Sequence, residues 1–318
     1  MSDEKNVDDL VSQIESLGLD DKKDNVPSNE KEDGADDEGD EDIKRVAAWI
    51  KESKNIVILS GAGVSCSAGI PDFRTPGTGL YDNLQKYNLP FPEAVFDVDF
   101  YRRKPLPFLS LAKEIWPGLK HSPTLTHSFA ATLAKKNQLL RNYTQNIDGL
   151  ENLATTPEKQ IVECHGHFRS AACIKCHKPM DGEKCKSIIL ETDDVPKCEK
   201  PKCKGYVKPD IVFFGEGLPH RFHTLLTQDV EKVDLLIVMG TSLQVAPVSL
   251  IPSYVKCRRV LINRDEVGDF FGEDDAVLLG DCDDMVMQLA QELGWEDEIR
   301  ALNKKTRVKP AKKDKNGA

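Results

Sequence analysis

Asn55-Ile-Val-Ile-Leu-Ser-Gly-Ala-Gly-Val-Ser-Cys-Ser-Ala-Gly-Ile-Pro-Asp-Phe-Arg74 is the stretch that decides the fold. A short β-branched run that ends in glycines predicts a buried parallel strand entering a phosphate-binding turn. Gly61 and Gly63 let backbone approach a pyrophosphate closely, because no side chain there blocks the amide groups. The ordinary dinucleotide fingerprint would place a third glycine where Cys66 stands. No Gly-Lys-Ser/Thr follows, so the stretch is not a P-loop either. Ala62, Val64 and Ser65 complete the turn, while Asp72, Phe73 and Arg74 add an acid, an aromatic ring and a guanidinium to a loop facing a nucleotide. A glycine pair alone reads more often as a plain tight turn. The whole run 61–74 is what carries the cofactor reading.

Outward from this strand the pattern alternates. Residues 43–53 read as a helix, 56–60 as strand, and 121–136 as a helix entered through Ser122-Pro123-Thr124. Strands are expected at 139–144, 161–164, 234–239 and 259–262, and a closing helix at 283–293. Repeated strand–helix units with short loops predict an α/β fold, a doubly wound, Rossmann-like parallel sheet with ligands at the carboxyl ends of its strands. Four polar loops fall at such ends: Gly61 to Ser65; Gln145, Asn146, Ile147 and Asp148; Gly240, Thr241 and Ser242; and Asn263, Arg264 and Asp265. Asn146 and Asp148 by themselves would read as a turn or helix cap. Four loops converging on one crevice are better explained by one bound nucleotide.

Two close cysteine pairs, Cys173-x-x-Cys176 and Cys198-x-x-x-x-Cys203, match the layout of a small zinc ribbon inserted at about 168–208. His177 and Cys185 are alternative ligands on spacing alone, and His165 and His167 lie just ahead. Four thiolates leave no open position, so the metal is expected to be structural. Nucleic-acid binding by this ribbon is not expected, since its loops form no basic-aromatic surface.

Composition bounds the rest. The 318 residues can bury one substantial core, and no apolar stretch approaches the ~20 residues that span a bilayer. Nine cysteines, odd in number and unevenly spread, argue for a reducing compartment rather than a disulfide framework. The net charge of −10 conceals an acidic head, residues 1–42 at −13, and a basic tail, 303–318 at +6. The head is expected to be disordered except for an amphipathic stretch from Val7 to Leu19, and the tail to be a solvated charge run. The folded domain is therefore expected over 43–302.

Gly61–Arg74, Tyr143-Thr-Gln-Asn-Ile-Asp-Gly149, Cys164-His-Gly166, the cysteine pairs, Lys208-Pro-Asp-Ile-Val-Phe-Phe-Gly-Glu216 and Gly240-Thr-Ser242 stand in the order seen in sirtuins. The chain resembles that family from about Ile43 to Trp295, and Thr78 to Glu93 is similar to the cytosolic sirtuin-2 branch of class I in particular, with the mitochondrial sirtuin-3 branch also near. The resemblance implies an NAD-dependent protein lysine deacylase that yields nicotinamide, O-acyl-ADP-ribose and free lysine. It implies His165 as general base, with Asn146 and Asp148 orienting the ribose and carboxamide, and Ala62, Asp72, Phe73 and Arg74 closing over the cofactor. Thr241, Ser242, Asn263 and Asp265 are implied on the adenosine side and Cys282 near the adenine. Val212, Phe213, Phe214 and Gly215 would form the acyl-lysine tunnel and an edge for the substrate backbone. It also implies Cys173, Cys176, Cys198 and Cys203 as the zinc ligands, with tubulin or histone tails as substrates. A cytoplasmic location with passage to the nucleus and no membrane partner is expected. His167 stands where the family usually has a small hydroxyl residue, and is expected to be a surface imidazole of little consequence. Two other classes compete: a hydride-transferring dehydrogenase, which Cys66 opposes, and a catalytically silent NAD- and zinc-binding scaffold.

Overall fold

Hydrophobic runs too continuous for a one-sided sheet dictate the centre of the molecule. The computed structural model describes residues 35–71, 89–192 and 194–308. The Val7–Leu19 stretch, Asp72, Phe73 and Arg74, most of Thr78–Glu93 and the tail from 309 lie outside the described residues. Strands β1 (Ile56–Ser60), β2 (Leu139–Thr144), β3 (Ile161–Glu163), β7 (Leu235–Met239), β8 (Arg258–Asn263) and β9 (Asp275–Leu279) form one sheet in the order β3-β2-β1-β7-β8-β9, and all its pairings are parallel. Every residue of β1 and β7 is buried, as a parallel sheet covered on both faces requires.

Alternate residues of β1 feed opposite faces. Ile56 and Ile58 pack with Ile43, Val46, Ile50, Phe129, Leu133, Val286, Leu289 and Ile299. These come from helices α1 (Ala35–Glu52), α4 (Leu125–Lys135), α7 (Cys282–Leu293) and α8 (Glu296–Lys305). Val57 and Leu59 pack on the other face with Tyr143, Leu236, Val238 and, from α6 (His220–Asp229), Phe222 and Leu226. The doubly wound expectation is met. Strand order reverses between β1 and β7, and this switch point opens a crevice at the carboxyl ends.

A smaller lobe stands beside the sheet. Strands β4 (Gly166–Cys173), β5 (Pro179–Met180) and β6 (Val207–Ile211) make a three-stranded antiparallel sheet in the order β5-β4-β6. Helices α2 (Val98–Arg103), α3 (Leu106–Ile115) and α5 (Gly182–Glu191) share its core. The lobe is therefore larger than a ribbon over 168–208, because residues 92–116 complete it. Phe213 packs edge-on to Phe96, Tyr101 and Phe108, at centroid distances of 5.8, 5.7 and 4.9 Å. The Tyr101 hydroxyl donates to the Val207 carbonyl at 2.9 Å.

Both ends of the domain need correction. Helix α1 begins at Ala35 rather than Ile43, so the last residues of the expected disordered head are helical. Acids favour a helix N-terminus, and Asp40 pairs with Lys44 while Asp42 pairs with Arg45, both at 2.7 Å. The basic tail likewise starts later than 303. Asn303 is buried in α8 and its amide donates to the Pro123 carbonyl at 2.8 Å.

Candidate active site

The crevice is a cleft of about 1800 Å³ walled by the turns after β1, β2, β7 and β8 and by the segment after β6. Gly61, Ala62, Gly63, Cys66, Gln145, Asn146, Ile147, Gly240, Thr241, Ser242, Asn263, Arg264, Asp265 and Cys282 all line it, as do His165 and Val212 to Gly215. Val64, Ser65 and Asp148 do not. Val64 is part of the sheet core, and Ser65 and Asp148 stand behind the wall.

The reason for the glycines differs from the expected one. The Gly61 N–H donates to Met239 and the Gly63 N–H to Gly240, at 3.0 and 2.8 Å, so both amides are bonded within the protein. A β-carbon on Gly61 would lie 2.7 Å from Thr241 Cβ, and one on Gly63 2.6 Å from Gly240 Cα. The pair is there because two loops touch at the switch point, which brings the first turn against the second.

Behind that turn runs a polar chain. The Asn146 amide nitrogen donates to the Gly61 carbonyl at 3.0 Å and to Ser65 Oγ at 3.2 Å. Ser65 donates to Asp148 at 2.7 Å, whose other oxygen accepts from the Leu150 N–H at 3.0 Å. The Gln145 side chain donates to Thr241 Oγ1 at 2.9 Å, and Asn263 holds the Asp265 carbonyl at 2.8 Å. Asn146 and Asp148, two residues apart, thus take different positions: one on the wall, one behind it.

His165 follows β3 and lies on the cleft wall beside Asn146. Its Nδ1 is 2.8 Å from the Gln145 carbonyl, which can only accept, so Nδ1 carries the proton. Nε2 has no partner among the described residues. Burial lowers the ring's pKa below its ordinary value, and the Gln145 contact opposes this more weakly. The result at neutral pH is an uncharged imidazole with a lone pair on Nε2. His167, half-buried on β4, does not line the cleft.

The segment Val212 to Gly215 supplies a wall but little free edge. The Val212 N–H donates to the His165 carbonyl, and the Phe213 N–H to Glu216. Phe214 uses its N–H on Phe96 and its carbonyl on Val98. Phe213 is only 1% exposed, a core residue that also touches the cleft, whereas Phe214 is 44% exposed. Glu216 is itself fixed by buried Lys208 at 2.9 Å. Sequence reasoning missed the longer loop after β7, Leu243 to Ser253, much of which also lines the cleft. Its residues carry no motif of their own.

The four cysteines converge in the small lobe, away from the cleft. Their sulfurs lie within 4.8 Å of one another, with Cys173–Cys203 at 3.7 Å and Cys176–Cys198 at 3.6 Å. A tetrahedron with metal–sulfur bonds of about 2.3 Å has edges of about 3.8 Å, so the set fits one structural zinc. The N–H groups of Lys175 and Lys200 point at the sulfurs of Cys173 and Cys198, each at 3.4 Å. Cys185 is in the lobe core, its thiol pushed up to about 12 mainly by burial, and His177 occupies a left-handed turn; neither joins the group.

Residues 61–247 match the Sir2 family. The chain is 48% identical over 266 residues to the NAD-dependent protein deacetylase hst2 of Schizosaccharomyces pombe, covering 82% of this chain and 79% of that protein. It is 44% identical over 287 residues to the NAD-dependent protein deacetylase sirtuin-2 of Danio rerio, covering 83% and 75%. Sirtuin-3 of Mus musculus is 46% identical over 259 residues, covering 80% and 76%. The chain belongs to the Sir2 family, and its likeness to Hst2 and sirtuin-2 proteins places it in class I.

Proposed function

We propose that this chain is an NAD-dependent protein lysine deacetylase. It moves the acyl group of an acylated lysine, chiefly acetyl, onto the ADP-ribose part of NAD, consumes one water, and releases nicotinamide and free lysine. The observation that carries the reading is His165: a neutral ring on the cleft wall with Asn146, oriented by the Gln145 carbonyl, whose buried Nε2 has no partner among the described residues. When bound, NAD supplies an electrophilic ribose carbon and a leaving group. Thr241, Ser242, Asn263 and Asp265, at the ends of β7 and β8, would hold its adenosine half. Asn146 would set the ribose against His165, whose Nε2 would serve as general base toward a ribose hydroxyl. Phe214 and the Val212–Gly215 wall would admit the acyl-lysine side chain and exclude water.

A dehydrogenase on such a sheet would present an acid at the end of its second strand to hold a ribose. Here β2 ends on Thr144, and Gln145 follows it. Incubation with NAD and an acetyl-lysine peptide is expected to yield nicotinamide and O-acetyl-ADP-ribose. Reduced nicotinamide would make the chain a dehydrogenase, and no product a silent scaffold. Histone-tail and tubulin peptides are the first substrates to assay. The nine free cysteines are in keeping with a reducing compartment, and a cytoplasmic address with passage to the nucleus is to be checked by imaging a tagged chain.

A further inference from the structure

His127 on α4, Asp148 after β2 and Glu151 in the single turn Leu150–Leu153 bring a ring nitrogen and two carboxyl groups within 4.8 Å of one another. They are 3%, 9% and 2% exposed. The reading of the site given above assigns nothing to His127 or Glu151. Neither His127 Nε2 nor either carboxyl oxygen of Glu151 has a hydrogen-bond partner among the described residues. Bare polar groups at that depth cost ~2–7 kcal/mol each, so the protonation state of these neighbours decides how costly the cluster is.

The proton count follows from Thr124. Its hydroxyl proton is shared between the Val64 carbonyl at 2.9 Å and His127 Nδ1 at 2.7 Å. The Thr124 N–H also donates to Nδ1, at 3.3 Å, in a capping box, so Nδ1 is an acceptor and the ring proton sits on Nε2. A neutral ring then turns one N–H toward two carboxyl groups. One donor cannot serve two buried carboxylates side by side, so the cluster holds a further proton. Burial, then the charge of Asp148, pushes the Glu151 carboxyl up to about 8. Burial meanwhile lowers His127. Asp148 already accepts from Ser65 and from the Leu150 N–H, the partners of a charged carboxylate.

We propose that His127 and Glu151 are positioning residues: Glu151, protonated, lies between the His127 Nε2–H and the Asp148 carboxylate and thereby holds Asp148 against Ser65 and Asn146. The pair would act on the cofactor wall from behind, through Asp148–Ser65–Asn146 on one side and Thr124–Val64 on the other. Other ionisable groups face it. Glu163, at the end of β3, is neutralised by Arg169 and held by Asn152. Asp283, at the start of α7, is bound to Thr126 at 2.6 Å. The buried Cys164 thiol is held neutral. Loss of the Glu151 proton would place a second negative charge beside Asp148 with only a neutral ring between them.

The inference rests on the deacetylase reading for its readout of NAD binding, and a second arm is independent of it. NAD affinity is measured by calorimetry from pH 6 to pH 9 for the wild type, Glu151→Gln and Glu151→Ala. The wild-type Kd is expected to rise about tenfold between pH 7 and pH 9, a change of about 1.4 kcal/mol. Glu151→Gln keeps a donor that does not titrate, so its Kd should be flat over that range and well below that of Glu151→Ala. Thermal unfolding supplies the second arm. A carboxyl whose folded pKa exceeds the unfolded value near 4.5 stabilises below that value and loses its contribution as pH rises through about 8. The wild-type Tm should therefore fall relative to that of Glu151→Gln between pH 5 and pH 9, whether or not NAD binds. Equal pH dependence of wild type and Glu151→Gln in both arms overturns the proposal. So does a second metal ion per chain, beyond the zinc, that Glu151→Gln removes, because the cluster would then hold a cation instead of a proton.

Discussion

Gly205 offers a direct test of whether the four-cysteine cluster is a rigid metal site. A β-carbon there would stand 2.6 Å from the Cys173 sulfur, 2.9 Å from Lys175 Cβ and 3.4 Å from the Cys203 sulfur. Ordinary contact begins near ~3.4 Å, so Gly205→Ala forces the Cys173 sulfur back by about 0.8 Å or shifts its chain. Metal–ligand distances hold to about 0.2 Å, so the displaced thiolate drops out of the coordination sphere. Structural zinc binding is worth about 10–16 kcal/mol over four ligands. One ligand then accounts for about 3 kcal/mol, or roughly a hundredfold in zinc affinity. Since metal binding is coupled to folding of the lobe, the melting temperature should fall with it. The assay is competition for zinc against a chromophoric chelator, followed by thermal unfolding with and without added zinc. Gly217→Ala is the control, because a methyl group added there would meet nothing within 4 Å. A Gly205→Ala protein that keeps one zinc per chain with affinity within about threefold of wild type would refute the argument.

Three further expectations use other parts of the molecule. His165→Ala should lower deacetylation about 100-fold or more while zinc content and folding persist; because burial lowers the pKa of His165, wild-type activity should hold as pH drops to 6.5 and decline only below it, which a pH profile of kcat/KM checks. Asp229→Ala removes a buried carboxylate that takes both Arg141 Nε at 2.8 Å and Tyr143 Oη at 2.7 Å, and leaving that arginine unpaired should cost about 3–5 kcal/mol, on the order of 10 °C in Tm by calorimetry. Deleting residues 1–34 should leave turnover of a short acetyl-lysine peptide within about twofold of wild type, whereas a cut at residue 50 removes Ile43, Val46 and Ile50 from the core and should abolish soluble expression.

What could be read without coordinates was whatever is encoded locally. Five of the six parallel strands fall where short apolar stretches predict them, and their carboxyl-end loops carried the polar motifs that now line the cleft. The strand Asp275–Leu279 escaped because its short run follows an acidic loop and no motif marks it. The small lobe escaped for a different reason. Phe96, Tyr101 and Phe108 meet Phe213 from more than 100 residues away, and no local period records such a contact. The same limit explains why the glycine turn was assigned the right place and an incomplete reason. Gly61 and Gly63 are demanded by Gly240 and Thr241, and a neighbour that far along the chain leaves no trace in the turn's own sequence.

Asp148 shows how far this goes at the chemistry itself. In the run Gln145-Asn146-Ile147-Asp148 the asparagine and the aspartate look equivalent, two polar side chains at one strand end. The chain turns between them, so Asn146 faces the cleft and Asp148 faces Ser65, Leu150, His127 and Glu151. A substitution at either should impair cofactor binding, yet by different routes. Asn146→Ala removes a group on the wall and should act equally at every pH. Burial is the main reason Glu151 stays protonated and the charge of Asp148 the second, so Asp148→Asn should also weaken the pH dependence of stability that Glu151 confers. Two neighbours in one motif are thus separable by a pH titration. That separation is a property of the packing around them, not of the motif.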